Sequence, residues 1–238
     1  MLGVLGGMGP LATVDFMDKV VRNTSATCDQ DHIEMIVCSA TGVPDRTAAI
    51  LDQGSDPLPA MLDALRRLER SGATRIAIPC NTAHHWYDAL QAKSPVPILH
   101  IVDAVADACV ERGMRGTTIG VLATDGTVHA GIYQKRLANS GFACLIPDRK
   151  AQAEVMQAIR LVKAGHIDQA AAALVREARA LVAAGCSHVA MACTEIPLAL
   201  ATVDAELREK LLDPTELLAR ACVKSCLAML QKPVRQVA

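Results

Sequence analysis

Two apolar runs that end in cysteine constrain the fold of this chain more than any other feature. Ile76-Ala77-Ile78-Pro79-Cys80 is followed 113 residues later by Val189-Ala190-Met191-Ala192-Cys193. In the same way, Gly120-Val121-Leu122 repeats Gly3-Val4-Leu5 after 117 residues. Short apolar runs that alternate with helical patterns predict βαβ units and parallel sheets. The near-equal spacings predict that this arrangement occurs twice, in two similar halves.

We therefore expect an α/β protein with two similar lobes, each a mainly parallel sheet flanked by helices, related by pseudo-two-fold symmetry. The predicted strands are Leu2–Leu5, Glu34–Cys38, Thr74–Ile78, Pro97–His100, Thr118–Leu122, Ala143–Ile146 and His188–Ala192. The predicted helices are Pro10–Thr24, Pro57–Ser71, Ala83–Lys93, Asp103–Arg112, Val128–Asn139, Ala151–Lys163, Ile167–Ala184, Asp204–Leu211 and Pro214–Leu230. We place lobe one at residues 1–97, lobe two at 98–211, and the C-terminal helix 212–238 back on lobe one. The active site is expected in the cleft between the lobes.

Composition excludes several classes of protein. The chain of 238 residues has a net charge of −1 and only 2% aromatic residues, so it lacks the basic and stacking surfaces of a nucleic-acid binder. Its apolar runs are shorter than the about 18 residues of a membrane span. Nine cysteines, an odd number without a Cys-x-x-Cys motif, indicate a reduced, cytoplasmic protein. The N-terminus lacks a basic segment and is predicted to be a first strand, not a signal peptide.

Cys80 and Cys193 are the candidate catalytic residues. In open parallel sheets, ligands bind beyond the carboxyl ends of the strands, where both thiols are predicted. A helix that begins just after each cysteine is expected to lower the thiol pKa. One thiolate would take a proton from a substrate carbon while the opposite thiol returns one to the other face. Cys222 and Cys226, four residues apart on a predicted helix, are instead expected in the core.

Polar residues near the two cysteines are candidate substrate-binding groups. Asn81, Thr82 and Thr194 supply donors for developing negative charge. The Gly6-Gly7-Met8-Gly9-Pro10 loop allows a close backbone approach to an anion, although it is not the G-x-G-x-x-G of dinucleotide-binding proteins.

Three further polar positions have two interpretations each. Arg46 suits bidentate binding of a carboxylate, or it is a solvated loop charge. Lys163 reaches the site, or it complements the dipole of the helix that it ends. Thr124, with Thr127, binds substrate or caps a helix.

No metal or cofactor is expected. His84 follows Cys80 by four residues, but the other ligands of a tetrahedral site are missing from the pattern. No lysine has a context that suggests a pyridoxal Schiff base, so side chains alone would perform the hard step.

The chain resembles the aspartate/glutamate racemase family, in particular its cofactor-independent aspartate racemase branch. The matching segments are Gly6-Gly7-Met8-Gly9-Pro10-Leu11-Ala12-Thr13, Pro79-Cys80-Asn81-Thr82-Ala83-His84 and Cys193-Thr194-Glu195-Ile196-Pro197-Leu198, with looser matches at Asp45-Arg46-Thr47, Leu122-Ala123-Thr124 and Asp213-Pro214-Thr215. The resemblance implies two α/β lobes, a homodimer, and a small amino-acid substrate held between the lobes.

The resemblance also implies roles for individual residues. It implies that Cys80 and Cys193 are the acid/base thiols, and that Arg46 and Lys163 recognise the distal carboxylate of an acidic substrate. The implied groups around the α-carboxylate and amino group are Met8, Asn81, Thr82 and Thr194. Ala83 and Thr124 are further candidate substrate-binding residues.

The sequence departs from the glutamate racemase branch at two places. That branch has Asp-Ser-Gly in the first loop and Cys-Thr-His at the second cysteine, whereas this chain has Gly6-Gly7-Met8-Gly9 and Cys193-Thr194-Glu195. Glu195 either forms a hydrogen bond that tunes Cys193 or caps a helix, and His84 is a second candidate for support of a cysteine.

Several functions stay open at this point. We expect a racemase that is independent of pyridoxal phosphate and acts on aspartate. The alternatives are a broad-specificity amino-acid racemase, a glutamate racemase, a dicarboxylate cis–trans isomerase that uses covalent cysteine attack, and a binding module whose cysteines report redox state.

Overall fold

The computed structural model describes residues 1–230 and contains two four-stranded parallel sheets. The strands are β1 (Leu2–Gly6), β2 (Met35–Ser39), β3 (Arg75–Ala77), β4 (Ile98–Leu99), β5 (Thr118–Ala123), β6 (Ala143–Leu145), β7 (His188–Ala192) and β8 (Leu211–Leu212). The first sheet has the order β2-β1-β3-β4 and the second has β6-β5-β7-β8. We call the parts of the chain that carry them the first half and the second half. The predicted fold class is confirmed.

Helices flank both sheets. They are α1 (Pro10–Asn23), α2 (Arg46–Ile50), α3 (Leu58–Arg70), α4 (Tyr87–Gln91), α5 (Ile101–Glu111), α6 (Asp125–His129), α7 (Ile132–Asn139), α8 (Arg149–Lys163), α9 (Ile167–Ala183), α10 (Ile196–Ala199), α11 (Ala205–Lys210) and α12 (Pro214–Leu230). Short 3-10 helices span Asp29–Asp31 and Thr82–Trp86. Within residues 1–230, no helix is both long and apolar enough to cross a membrane.

Strand register shows that the two halves repeat one design. In the first sheet Gly3 lies opposite Ile76, and in the second sheet Gly120 lies opposite Val189. These are the positions related by the sequence spacings of 117 and 113 residues. The last strand of each sheet keeps the same 113-residue relation to its counterpart. The repeat predicted from the sequence therefore extends to the pairing of individual residues.

The hydrophobic core is continuous between the halves. One cluster of buried residues includes Val4 of β1, Val121 of β5, Phe16 of α1 and Leu218 of α12. Helices α5 and α12 pack against each other, α12 also packs on α1, and α5 also packs on α7. Burial of each large apolar side chain contributes about 1.5–3 kcal/mol, so this shared core holds the halves in a defined arrangement.

The start of α12 is tied to the first half by a partly buried ion pair. The Lys19 ammonium lies 2.7 Å from Asp213 and 2.5 Å from Asp15. Farther along α12, the guanidinium of Arg75 donates to Ser225 at 3.0 Å. These contacts place the described part of the C-terminal helix on the first half. Residues 231–238 of the predicted segment 212–238 lie outside the described residues.

The structure corrects the predicted boundaries at several points. Strand Ile98–Leu99 pairs with β3, so the boundary predicted at residue 97 falls before the last strand of the first sheet. Residue 212 likewise belongs to β8 in the second sheet, and the helix predicted to 211 ends at 210. A two-residue strand is too short to show a periodic pattern, which is why β8 was not predicted from the sequence.

Two predicted helices are broken. The Val128–Asn139 prediction corresponds to α6 and α7, which are separated at Gly131, where φ is +66°. Glycine adopts this left-handed conformation without steric cost, and it ends one helix while the next begins. The predicted helix Ala83–Lys93 is a 3-10 helix followed by the short α4. The 3-10 helix begins at Thr82, two residues after Cys80.

Candidate active site

The two cysteines occupy corresponding places in the two sheets. Cys80 follows β3 and Cys193 follows β7 directly, at the carboxyl ends of the strands. Both are buried, with exposed fractions of 6% and 5%, and both line one small cavity. The cavity holds about 20 Å³, room for about one water molecule, so an amino acid enters only when its walls move apart.

Most of the predicted site residues meet at this cavity. Its walls are formed by Met8, Asp45, Arg46, Thr47, Cys80, Asn81, Thr82, Thr124, Lys163, Cys193, Thr194 and Glu195. Asp45 and Thr47 were not predicted as site residues, although they flank Arg46 in the motif. Ala83 does not line the cavity and is fully buried in the core of the first half. The same buried cluster includes Cys80 and Met8, and a role for Ala83 in substrate binding stays a prediction.

Glu195 contacts the second cysteine directly. The Cys193 thiol donates to Oε2 of Glu195 at 2.9 Å, and the Thr194 hydroxyl donates to the same oxygen at 3.1 Å. Glu195 precedes α10 but makes no capping hydrogen bond with its side chain. Of the two interpretations of Glu195, the geometry therefore favours the one in which it tunes Cys193.

The pKa of Cys193 moves opposite to the sequence expectation. Burial and the neighbouring Glu195 carboxylate raise the pKa of the Cys193 thiol well above its ordinary value, and the Lys163 ammonium offsets part of this rise. The helix after Cys193 has only four residues and too small a dipole to outweigh burial. The prediction of a lowered pKa at Cys193 is thus wrong, and this cysteine is a thiol at neutral pH.

Three threonines join the halves beside the first cysteine. The hydroxyl of Thr82 lies 2.9 Å from that of Thr124 and 2.9 Å from that of Thr127, which are themselves 3.0 Å apart. Thr124 also caps α6, since its hydroxyl accepts from the Thr127 amide at 3.2 Å. Both interpretations of Thr124 are therefore compatible with the structure: it caps a helix and it lines the cavity.

Two cationic side chains border the cavity. The Arg46 guanidinium donates to the carbonyls of Val43, Pro44 and Met8 at 3.0–3.2 Å, while its buried Nε has no partner within residues 1–230. Lys163 ends α8 and is exposed. The residues of the described chain place no carboxylate in an ion pair with either group, so their positive charge is available to an anion.

His84 supports the first cysteine from behind. Its Nδ1 bonds the Cys80 carbonyl at 2.9 Å, and its Nε2 accepts from the Ile101 amide at 3.1 Å. Burial lowers the pKa of His84 to about 4, so the ring is neutral. His84 thus fixes the backbone at Cys80 without reaching the cavity. Across residues 1–230, no three His, Cys, Asp or Glu side chains converge in a way that could hold a metal ion.

The glycine loop brings the first half against Glu195. Gly7 has φ of +86°, and a side chain there would overlap the backbone of Ala40. A Cβ at Gly9 would lie 3.4 Å from Oε1 of Glu195. The loop therefore needs glycine for close packing, and it closes one wall of the cavity around Met8.

Comparison with known proteins identifies the family. The model of the Asp/Glu/Hydantoin racemase family matches residues 5–222. The chain belongs to this family and is a racemase, which is an isomerase. It is 33% identical over 169 residues to the broad specificity amino-acid racemase RacX of Bacillus subtilis, covering 68% of this chain and 71% of RacX.

Solved structures show the same fold. The aspartate racemase of Picrophilus torridus superimposes with a TM-score of 0.81 and 29% identity, covering 94% of this chain and 93% of that one. An aspartate racemase homologue from Pyrococcus horikoshii superimposes with a TM-score of 0.75 at 23% identity, covering 95% of this chain and 98% of that one, which supports the fold alone.

Proposed function

We propose that this protein interconverts the L and D forms of an amino acid without a cofactor, using Cys80 and Cys193 as its two acid/base groups. The observation that carries the proposal is that the two buried thiols come from corresponding strands of the two halves and line one cavity. Inversion at one carbon requires a base on one face and an acid on the other, and general acid–base groups must lie within reach of the reacting atom.

In the proposed mechanism one proton leaves one face of the α-carbon and another proton arrives at the opposite face. The Cys80 thiolate takes the α-proton, forming a bond between sulfur and hydrogen as the bond between carbon and hydrogen breaks. The Cys193 thiol gives its proton to the opposite face, and its sulfur becomes a thiolate beside Glu195. The reverse transfer restores the starting enantiomer. The raised pKa of Cys193 supports its role as the acid in the first direction.

Unpaired donors around the cavity suit a carboxylate substrate. Asn81 is 2% exposed, and its Nδ2 has no partner within residues 1–230. Arg46 Nε is also unpaired there. A buried donor without a partner costs about 1–3 kcal/mol, which a bound carboxylate would recover. These groups support binding of the α-carboxylate at Asn81 and of a distal carboxylate at Arg46.

Aspartate is the proposed substrate, with a broader set of amino acids as the second candidate. Arg46 and Lys163 favour a dicarboxylate, and a similar solved structure is an aspartate racemase. The broader set is supported by the relative named as a broad specificity racemase. A homodimer and a cytoplasmic location complete the proposal, and light scattering on the purified chain tests the dimer.

The direct test is incubation with L-aspartate in deuterated water. We expect deuterium at the α-carbon together with loss of optical rotation, because the two thiols exchange protons with solvent. A panel of L- and D-amino acids, including glutamate and alanine, then defines the breadth. The absence of both exchange and racemisation with every member of the panel would contradict the proposal. Conversion of maleate to fumarate would favour the cis–trans isomerase.

Arg46→Ala is expected to raise KM for aspartate by about 10- to 100-fold and KM for alanine much less, since a charged hydrogen bond to the distal carboxylate is lost. The measurement is steady-state kinetics with both amino acids. Arg208→Ala is a matched control, because Arg208 also donates to backbone carbonyls but is exposed and lies away from the cavity. Equal effects of Arg46→Ala on the KM values for aspartate and alanine would contradict the assignment of Arg46 to the distal carboxylate.

Gly126→Ala is expected to lower kcat/KM about 10-fold, because a small misplacement of binding groups is costly. A Cβ at Gly126 would lie only 2.9 Å from the Cα of Thr47, so it would push α6 away from the segment that carries Arg46. Gly42→Ala is the control, since a Cβ there meets nothing within 4 Å. Unchanged kinetics in Gly126→Ala would mean that the close approach of the halves is not needed for activity.

A further inference from the structure

A tyrosine from the second half reaches the residue that follows Cys80. Tyr133, on α7, donates its hydroxyl hydrogen to Oδ1 of Asn81 with an oxygen–oxygen distance of 2.6 Å. Tyr133 is fully buried and Asn81 is 2% exposed. The hydrogen bond therefore joins the two halves out of contact with solvent, where its geometry is firmly held.

The distance identifies which end of the Asn81 amide faces the tyrosine. A value of 2.6 Å is normal for O–H···O but short for N–H···O, which is seldom below about 2.7 Å. The tyrosine therefore bonds the amide oxygen, and the amide nitrogen points elsewhere. That nitrogen is buried, has no partner within residues 1–230, and belongs to a side chain that lines the cavity between the thiols.

We propose that Tyr133 is a positioning residue that holds the Asn81 amide with its N–H donors directed into the cavity, toward the substrate carboxylate. This inference rests on the proposed racemase function. Tyr133 does not line the cavity, so it acts only through Asn81.

The orientation matters because the two ends of an amide have opposite effects on an anion. The nitrogen donates two hydrogen bonds, whereas the oxygen only accepts and repels a carboxylate. Without the tyrosine hydroxyl, rotation of the amide by half a turn would cost little and would direct the oxygen at the substrate. Burial raises the pKa of Tyr133 well above its ordinary value, so the phenol keeps the proton that selects the amide oxygen.

The test begins with Tyr133→Phe, which removes the hydroxyl and keeps the ring. We expect kcat/KM for L-aspartate to fall about 10-fold, roughly the effect of losing one properly presented hydrogen bond. Tyr87→Phe is a matched control, since the Tyr87 hydroxyl donates to the Ile98 carbonyl at 3.3 Å and does not reach the cavity. It is expected to leave the kinetics unchanged.

A double variant separates positioning from a general effect on folding. In the Asn81→Ala background, Tyr133→Phe is expected to change kcat/KM by less than about 2-fold, because coupled residues are not additive. A purely structural role would lower stability and activity by the same factor in both backgrounds. Equal factors, or full activity of Tyr133→Phe in the otherwise unchanged protein, would overturn the proposal.

A readout that does not depend on turnover completes the test. The side-chain amide signals of Asn81 in a ¹H–¹⁵N spectrum are assigned by their loss in Asn81→Ala. We expect them to shift in Tyr133→Phe, to stay in place in Tyr87→Phe, and to move when L-aspartate is added to the unaltered protein. Unmoved signals in Tyr133→Phe would refute the contact whatever the reaction is. If the contact is present but no amino acid is bound or racemised, the proposed function fails and the carboxylate role of Asn81 fails with it.

Discussion

Cys80→Ser and Cys193→Ser are each expected to abolish racemisation, with kcat/KM lower by about 10²- to 10⁴-fold, the range typical of loss of a general acid or base. Serine occupies nearly the same volume as cysteine, but its hydroxyl ionises far less readily than a thiol. Each variant therefore keeps one working group and loses the partner on the opposite face. Activity is measured by polarimetry and by chiral separation of the product.

Exchange of the α-hydrogen makes this prediction sharper. A single remaining thiol can remove the proton of the enantiomer that faces it and return a deuteron to the same face without inversion. We expect Cys80→Ser and Cys193→Ser to retain slow exchange with opposite enantiomers of aspartate. This pattern would reveal which cysteine serves which enantiomer.

Controls separate loss of chemistry from loss of folding. Cys28 is exposed and lies outside the cavity, so Cys28→Ser is expected to keep full activity. Circular dichroism and thermal unfolding of both site variants should match the unaltered protein closely, because the exchange of sulfur for oxygen is small. Near-normal racemisation in either site variant would rule out the two-base mechanism.

Equal stability of the two enantiomers adds a further constraint. Because their equilibrium constant is one, kcat/KM must be the same in both directions for the protein and for every variant. An asymmetry between Cys80 and Cys193 can therefore appear in kcat and KM separately, but not in their ratio. Unequal ratios would mean that the measured reaction is not a simple racemisation.

Much of the fold could be predicted because its signals are local and repeated. The spacing of Gly3 and Gly120, and of Cys80 and Cys193, anticipated the strand register that the structure shows. The two-residue strand β8 carries too little pattern to be predicted. The strand Pro97–His100 was predicted, but its pairing with β3 was not, so the first lobe boundary was placed before it. Gly131 breaks a helix because its backbone is left-handed. A single glycine within a periodic stretch does not by itself predict such a break.

The site could be predicted in its membership but not in its electrostatics. Nine of the ten residues predicted to be catalytic or substrate-binding line the cavity, and Ala83 is the exception. What the sequence could not provide was the direction in which Glu195 and Tyr133 point. The Glu195 side chain bonds a thiol and not its own helix, and Tyr133 crosses from the other half, 52 residues away. Such contacts depend on packing between the halves, which residue order alone does not specify.

Glu195→Gln is expected to move the basic limb of the kcat/KM profile to lower pH, because a neighbouring like charge is removed from an ionising group. In the proposed mechanism the cysteine pair works with one thiolate and one thiol. The basic limb marks the pH at which the remaining thiol loses its proton. Glu195 helps to raise the pKa of Cys193, so without its charge the pKa falls, the thiol ionises at lower pH, and the acid is lost sooner.

Alkylation of Cys193 measures the same change without turnover. The rate of reaction with iodoacetamide follows the thiolate fraction, and mass spectrometry of the peptide that contains Cys193 resolves it from the other cysteines. We expect its pH midpoint to fall in Glu195→Gln, although burial keeps it above the ordinary thiol value. Glu177→Gln is the matched control, because Glu177 is also buried but pairs with Arg176 away from the cavity. If the alkylation midpoint of Cys193 in Glu195→Gln stays where it is in the unaltered protein, Glu195 does not control the ionisation of Cys193, and burial alone raises the pKa of its thiol.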